Sequence, residues 1–230
     1  FFSTTNINNN NLKSEKHRCE TMLAVYEKIG CEGLNIGKYE LLAGLGYLKS
    51  MRKKYTGIDF ISANIREKVT NELIFSPYKI IKKDNLNIGV IGLTNMAPDS
   101  MKSIILDDYV IAGNDYIKKI KSKVDIIVML INAERNMQAS LVSNFKDADF
   151  IFTSGSTHKT SPSTPQSNEG PFLYANGKQG KYLTVIDLEM NNNTSPIIDV
   201  SSNEQKVIQV TNRIKRLQKK EPGKKLEEIY

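Results

Sequence analysis

Residues 124–131 read VDIIVMLI, a run in which only Asp125 is polar. A strand without in–out alternation is buried on both faces, the habit of a central strand in a parallel sheet covered by helices. On its C-terminal side, 134–145 reads as a helix and Asp149–Phe152 (DFIF) as the next strand. On its N-terminal side, 115–123 reads as a helix. Before that, Pro77–Lys83 and Asn87–Leu93 are strand-like runs separated by Asp84-Asn85, a hairpin signal. Asp59–Ala63 (DFISA) predicts a further buried strand and Leu34–Ile36 a short one. Helices are expected at 16–29 and at 40–53, the second with Leu41, Leu45 and Leu48 on one stripe. Strands alternating with helices at this spacing predict a layered α/β domain with right-handed crossovers.

Beyond the last helix–strand unit the character changes. Ser154–Gly170 (SGSTHKTSPSTPQSNEG) is rich in Ser, Thr and Pro and reads as a long loop. Strands are expected at Phe172–Ala175 and Lys181–Glu189, then a turn at Asn191-Asn192-Asn193 and an extended stretch at Pro196–Val200. Ser202-x-x-Gln205 has the form of a capping box for a last helix. That helix should turn Val207, Ile208, Ile214 and Leu217 inward and carry Arg213, Lys215, Arg216, Lys219 and Lys220 outward. A solvated helix face explains those charges, with docking onto an acidic partner as the alternative. The organisation read from this pattern is a polar lead-in at 1–15, one α/β domain at 16–201, and a basic helix and tail at 202–230.

The 230 residues suffice for a real core, at about 150 residues per domain. No apolar run approaches the ~18 residues of a spanning helix. No basic-then-apolar leader opens the sequence, and Phe1 in place of Met reads as the start of a processed or trimmed chain. The formal charge of +7 is built from 26 Lys and only 6 Arg, scattered apart from a cluster near the C-terminus. Readers of phosphate and bases favour the bidentate Arg fork, so nucleic acid is not the expected partner. An expected helix runs across the interval between Cys19 and Cys31 and would hold them about 15–18 Å apart, beyond the reach of a disulfide. Both are read as small buried thiols, and no CxxC or CxxCH motif points to redox, zinc or covalent haem chemistry.

Active sites of layered α/β proteins sit at the C-terminal strand ends. Here those ends carry Gly37-Lys38-Tyr39-Glu40, Asn64, Asn95, Asn132 and Gly155-Ser156-Thr157-His158. The order of these segments resembles the catalytic domain of the 5′-nucleotidase branch of the calcineurin-like metallophosphoesterases, including the thiosulfohydrolase relatives. GCEGLNIGKYELLAG at 30–44 is similar to the family's GYDAVTLGNHEFDYG, and Ser62-Ala63-Asn64 to its SAN strand. Pro77–Ile81 with NIGVIGLT at 87–94 matches PYxIxxxxGxKIGVIGLT. Asp125–Leu130 resembles the strand ending in a ligand His, Asp149–His158 resembles DVIIGGHTH, and Tyr174–Leu188 resembles QAGKYGKYLGRLDL. The resemblance runs from about residue 16 to 200. It implies a layered metallophosphoesterase-like β-sandwich flanked by helices, here lacking the first strand and the C-terminal nucleotidase domain.

The resemblance further implies two metal ions that neutralise a phosphate-type oxyanion and acidify a bridging water. Position by position, the Asn and His of GNHE become Lys38 and Tyr39, the isolated ligand His becomes Asn132, and the first His of GHxH becomes Ser156. Only the second survives, as His158. The Asp-x-His strand and second Asp would lie upstream of Phe1. Lys38 in a ligand's place repels cations, and one His with Glu40, Asn64 and Asn132 cannot hold two of them. The expectation is therefore a fold without its metal centre: no catalytic residue, His158 as a weak metal candidate, and Lys38, Ser156 and His158 as anion-binding candidates. No cofactor is expected, with Mn, Zn or Fe the alternative. Lys38 could instead fill the metal space and pair with Glu40 or an upstream Asp. Tyr39 reads as packing, Asn95 and Asn132 as ligands or loop caps, and His17 as inert on the solvent side of the first helix.

Three functions follow from the resemblance. One is a non-catalytic binding or scaffold subunit, periplasmic or extracellular as the family largely is, with a protein partner such as a multihaem c-type cytochrome or another acidic protein. Another is an anion-binding module. The third is a metal-dependent phosphoesterase or 5′-nucleotidase-like hydrolase.

Overall fold

The structure is a computed structural model that describes residues 7–161, 164–167, 169–177, 180–189 and 196–220. Its elements in chain order are α1 (Leu12–Lys28), β1 (Gly33–Asn35), α2 (Leu45–Lys54), β2 (Asp59–Ile61), β3 (Ile65–Glu67), β4 (Tyr78–Lys83), β5 (Leu86–Thr94), β6 (Ile104–Leu106), α3 (Tyr109–Ile120), β7 (Ile126–Asn132), α4 (Leu141–Asn144), β8 (Phe150–Ser154), β9 (Phe172–Ala175) and α5 (Ser201–Lys220). Short 3-10 turns at Lys121–Lys123 and Arg135–Ser140 lead into β7 and α4.

A five-stranded sheet in the order β4-β5-β7-β8-β9 forms the centre, with β4 antiparallel to β5 and the other pairs parallel. The VDIIVMLI run supplies β7, third of the five, and both its faces are covered. One face packs Ile127, Met129 and Ile131 with Ile91, Leu93 and Ile151 against Ile117 and Ile120 of α3 and Leu141 of α4. The other gathers Ile126, Phe150 and Phe172 beneath Ile186, Leu188 and Ile197. A second core, built from Cys19, Leu23, Ile36, Leu41, Leu48, Phe60 and Phe75, joins α1 and α2 to the parallel pair β1-β2. This is the mixed α/β architecture expected from the alternating pattern.

Several boundaries differ from the sequence expectation, each for a local reason. The second helix begins at Leu45 rather than 40, because Gly44 takes φ 91° and 38–43 form turns closed by the Leu41 N–H to the Gly37 carbonyl. Helix α3 begins six residues earlier than 115, since the Asp108 carboxylate accepts the N–H groups of Val110 and Ile111 and caps a start whose branched residues resemble a strand. The helix expected at 134–145 splits into a 3-10 turn and one α-turn. The antiparallel pair β3-β6 went unread, because three residues are too few to display alternation. It is fastened by Arg66, whose Nε binds Asp107 Oδ2 at 2.5 Å.

Larger departures fall near the C-terminus. Among the described residues, Lys181–Glu189 and Pro196–Val200 run without entering any ladder, so the two strands expected there are unpaired. Helix α5 starts at Ser201 with Asp199 Oδ1 accepting its N–H at 2.9 Å, in place of the Ser202 capping box. Val207 and Ile208, expected inward, are 64% and 50% exposed, while Ile214 and Leu217 are half-buried. The asparagine turn at 191–193 lies outside the described residues, as do parts of the polar lead-in and the basic tail. His17 is exposed as expected.

The long Ser/Thr/Pro loop has a structural task. β9 is an edge strand, and loop residues satisfy its outer side. The Gln166 side-chain amide donates to the Leu173 carbonyl at 2.9 Å and accepts the Leu173 N–H at 3.1 Å, as a neighbouring peptide group would. Thr160 donates its N–H to the Ala175 carbonyl at 2.9 Å, and its hydroxyl accepts the Ala175 N–H at the same distance. Such a cover prevents pairing with another chain at this edge.

Gln166→Ala removes both contacts to Leu173 and is expected to cost about 1–2 kcal/mol, or a few degrees in Tm, read by thermal unfolding. The two cysteines are free, one buried and one half-buried. Burial pushes the Cys19 thiol up to about 11. At pH 8 a disulfide reagent should therefore label Cys31 first and Cys19 only on unfolding. Equal labelling rates would contradict the packing of α1.

Candidate functional site

The C-terminal ends of β5, β7 and β8 and the turn after β1 meet at one edge of the sheet. The tip of each strand carries a polar side chain, and these are bonded to one another across the strands. Asn64 is fully buried and donates from Nδ2 to the Thr94 carbonyl at 2.7 Å and the Asp107 carbonyl at 3.0 Å, while its Oδ1 accepts the Thr94 N–H at 3.1 Å. The Thr94 hydroxyl donates to Asn132 Oδ1 at 3.2 Å, and Asn132 Nδ2 donates to the Ser154 hydroxyl at 3.1 Å. Asn132 Oδ1 also accepts the backbone N–H of Lys38 at 3.1 Å, a contact spanning 94 residues of sequence.

Two glycines make room for that amide. A Cβ on Gly37 would stand 2.6 Å from the Asn132 side chain. A Cβ on Gly155, which has φ 96°, would stand 2.6 Å from the Ala133 carbonyl and 3.1 Å from Asn132 Nδ2. Backbone therefore closes on Asn132 from two directions, where any side chain would collide.

The remaining expected residues surround this centre. Lys38 and Tyr39 are half-buried in the turn after β1, and Lys38 makes no ion pair among the described residues. The expected Lys38–Glu40 pair is therefore absent there; instead Glu40 Oε2 accepts the Gly37 N–H at 2.9 Å and shapes the turn. Asn95 acts as a loop cap, its Oδ1 accepting the Glu134 N–H at 3.1 Å. The Ser156 hydroxyl lies 3.1 Å from Gln138 Nε2 and accepts the His158 N–H at 3.3 Å. His158 itself is exposed.

Sequence reading missed Thr94, Gln138 and Ser154. Thr94 and Ser154 are the last residues of β5 and β8, so a stricter use of the strand-end rule would have found them. Gln138, buried at 3% exposure in a 3-10 turn, carried no signal. Asn35 was also missed: its Nδ2 donates to the Leu93 carbonyl at 2.9 Å and fastens β1 to β5.

The strand-end donors among the described residues do not fit a pair of divalent cations. Asn132 Oδ1 already accepts two donors, Asn64 is bonded at both side-chain atoms, and the cationic Lys38 stands on the rim. Among the described residues no group of three His, Cys, Asp or Glu could hold a metal ion. No helix of the described residues is long and apolar enough to cross a membrane.

No family model matches the chain. A 66-residue stretch is 36% identical to Protein UshA of Escherichia coli, and a 67-residue stretch is 37% identical to a 5′-nucleotidase of Vibrio cholerae. Each match covers 29% of this chain and 12% of the relative. Among solved structures, a 5′-nucleotidase of Staphylococcus aureus superposes with a TM-score of 0.60 at 19% identity, over 73% of this chain and 36% of its own. The sulfate thiohydrolase SoxB of Thermus thermophilus superposes with a TM-score of 0.59 at 17% identity, over 69% and 30%. The fold is thus that of a metallophosphoesterase domain, a mixed α/β body with its polar site at the strand ends. Within that class the chain is related to the 5′-nucleotidase branch of the calcineurin-like metallophosphoesterases, of whose members it spans a minor part.

Asn132→Ala would leave the Lys38 N–H and the Thr94 and Ser154 hydroxyls without their acceptor or donor. The expected loss is about 2–4 kcal/mol by denaturant unfolding. A loss under ~0.5 kcal/mol would mean that the amide does not hold the strand ends together.

Proposed function

We propose that the chain is a non-catalytic metallophosphoesterase-like protein, an extracytoplasmic binding or scaffold subunit with an anion-binding pocket at its strand ends. The observation that carries this reading is Asn132. Where the family resemblance puts a ligand imidazole, a carboxamide stands with both of its polar atoms engaged by Lys38, Thr94 and Ser154. A metal would have to compete with two hydrogen bonds for an oxygen that carries no charge. Lys38 supports the anion-binding part: its ammonium belongs to a half-buried residue without an ion pair among the described residues, and Ser156 and the exposed His158 lie on the loop after β8. The acidic-protein partner rests on the net charge of +7 and the basic outer residues of α5. A multihaem cytochrome as that partner, and the extracytoplasmic site, rest on the resemblance alone.

The competing reading is a metal-dependent phosphoesterase or 5′-nucleotidase-like hydrolase, which the relatives' names favour. The two separate cleanly. The purified chain, incubated with Mn, Zn or Fe and desalted, is expected to retain far less than stoichiometric metal by mass spectrometry and to leave nitrophenyl phosphate intact. Sulfate, phosphate or thiosulfate should raise its Tm in a saturable manner, with the shift lost in Lys38→Ala. Stoichiometric metal with phosphate-ester turnover, abolished by His158→Ala, would overturn the reading in favour of the enzyme.

A further inference from the structure

The 3-10 turn at Arg135–Ser140 brings one polar side chain inward beside the strand ends. Gln138 is buried, and both of its polar atoms are engaged. Its Nε2 donates to the Ala133 carbonyl at 3.3 Å and to the Ser156 hydroxyl oxygen at 3.1 Å, while its Oε1 accepts from an Arg135 guanidinium nitrogen at 3.3 Å. A carboxamide set between a carbonyl and a guanidinium stands only one way round, because the carbonyl needs the NH2 and the guanidinium needs the oxygen. The atom of Gln138 that lies nearest Ser156 is therefore a donor. The Ala133 carbonyl that orients it is also the group against which Gly155 closes, next to Asn132, so the arrangement belongs to the strand-end edge.

This orientation fixes what Ser156 has left to offer. A hydroxyl oxygen has two acceptor positions and one proton. Ser156 Oγ takes one hydrogen bond from Gln138 Nε2 and another from the His158 N–H at 3.3 Å, so both acceptor positions are filled by the chain. Among the described residues its proton meets only Gln138 Oε1, 3.3 Å away, a neutral oxygen already serving Arg135. An ionised oxygen arriving from solvent forms the shorter and stronger bond. Ser156 is thus set to donate to a ligand and not to accept from one. Arg135 stands on the other side of the same amide oxygen. It is exposed, and among the described residues it makes one hydrogen bond, to Gln138, and no ion pair. A guanidinium carries more N–H donors than that single bond uses.

We infer that Gln138 is a positioning residue of the strand-end anion site, holding the Ser156 hydroxyl as a donor, and that Arg135 is a second cation of that site besides Lys38. The ligand class is a small divalent oxyanion with no proton of its own, of which sulfate is the simplest. This rests on the anion-binding part of the proposed function and adds to it two residues that the strand-end pattern does not name.

Sulfate binding to the full chain, measured by isothermal titration calorimetry at low ionic strength, tests it, with perchlorate as a tetrahedral anion of single charge. The wild-type chain is expected to prefer sulfate. Arg135→Gln, at an exposed position, should weaken sulfate by about fivefold or more and perchlorate less, since a divalent ion feels the lost charge twice as strongly. Lys121→Gln removes one positive charge at the other end of β7, where Lys121 pairs with Asp147, and should leave sulfate affinity unchanged. Gln138→Met keeps the length of the side chain without its polar atoms and should also weaken sulfate about fivefold. In a Ser156→Ala chain it should cause no further loss, because its effect passes through that hydroxyl. Sulfate binding that needs Lys38 but is indifferent to Arg135→Gln and Gln138→Met overturns this inference and leaves the anion pocket standing. Equal losses of sulfate and perchlorate in Arg135→Gln, or additive losses for Gln138→Met and Ser156→Ala, overturn it too, as marks of a merely structural role. A wild-type chain that binds no sulfate overturns both this inference and the pocket it rests on.

Discussion

A line of side-chain hydrogen bonds runs across the strand ends from Asn64 through Thr94 and Asn132 to Ser154. The hydrophobic clusters hold the layers face to face, but they do not fix where strand tips stop or how loops leave them. That is done by four polar residues that are buried or adjoin buried ones, and each unsatisfied partner there would cost roughly 1–3 kcal/mol. Through the Lys38 N–H the same line reaches the turn after β1, and so couples the core around α1 and α2 to the core around β7. Gly37 and Gly155 are constrained by it, because only backbone without a Cβ approaches Asn132 that closely.

The chemistry of the edge follows from the same bonds. An imidazole at a strand tip can offer one nitrogen to a ligand while its other nitrogen is held by the protein. A carboxamide engaged through both oxygen and nitrogen has nothing of comparable strength left to offer. The polar groups of the strand ends face each other, and Lys38 stands on their rim. Fold does not grant function, which is decided by a handful of side chains at one edge of the scaffold.

How much of this was legible depends on the length over which a signal is spread. The runs at 87–94 and 124–131 are long, apolar and branched, and β5 and β7 appear where the sequence puts them. At their C-terminal ends the structure brings Asn132 to the Lys38 N–H, and Ser156 to Gln138. What stayed hidden was short or conditional. β3 and β6 are three residues each, α3 starts with branched residues that only the Asp108 cap makes helical, and Gln138 reaches the site from a 3-10 turn. The roles of Asn95 and Asn132 were open because an asparagine that binds a ligand and one that fastens a loop read identically in one dimension.

At β9 the outer edge meets Thr160 and Gln166, polar residues whose side chains imitate a strand's own peptide groups, so the loop seals that edge with bonds a neighbouring strand would otherwise supply. Gln166 both donates to and accepts from Leu173, and Thr160 does the same at Ala175 through its N–H and its hydroxyl. An edge hidden in this way needs polarity rather than apolar surface, because the groups to be satisfied are peptide N–H and C=O. The Ser, Thr and Gln content that reads in the sequence as a mere loop is therefore what ends the sheet.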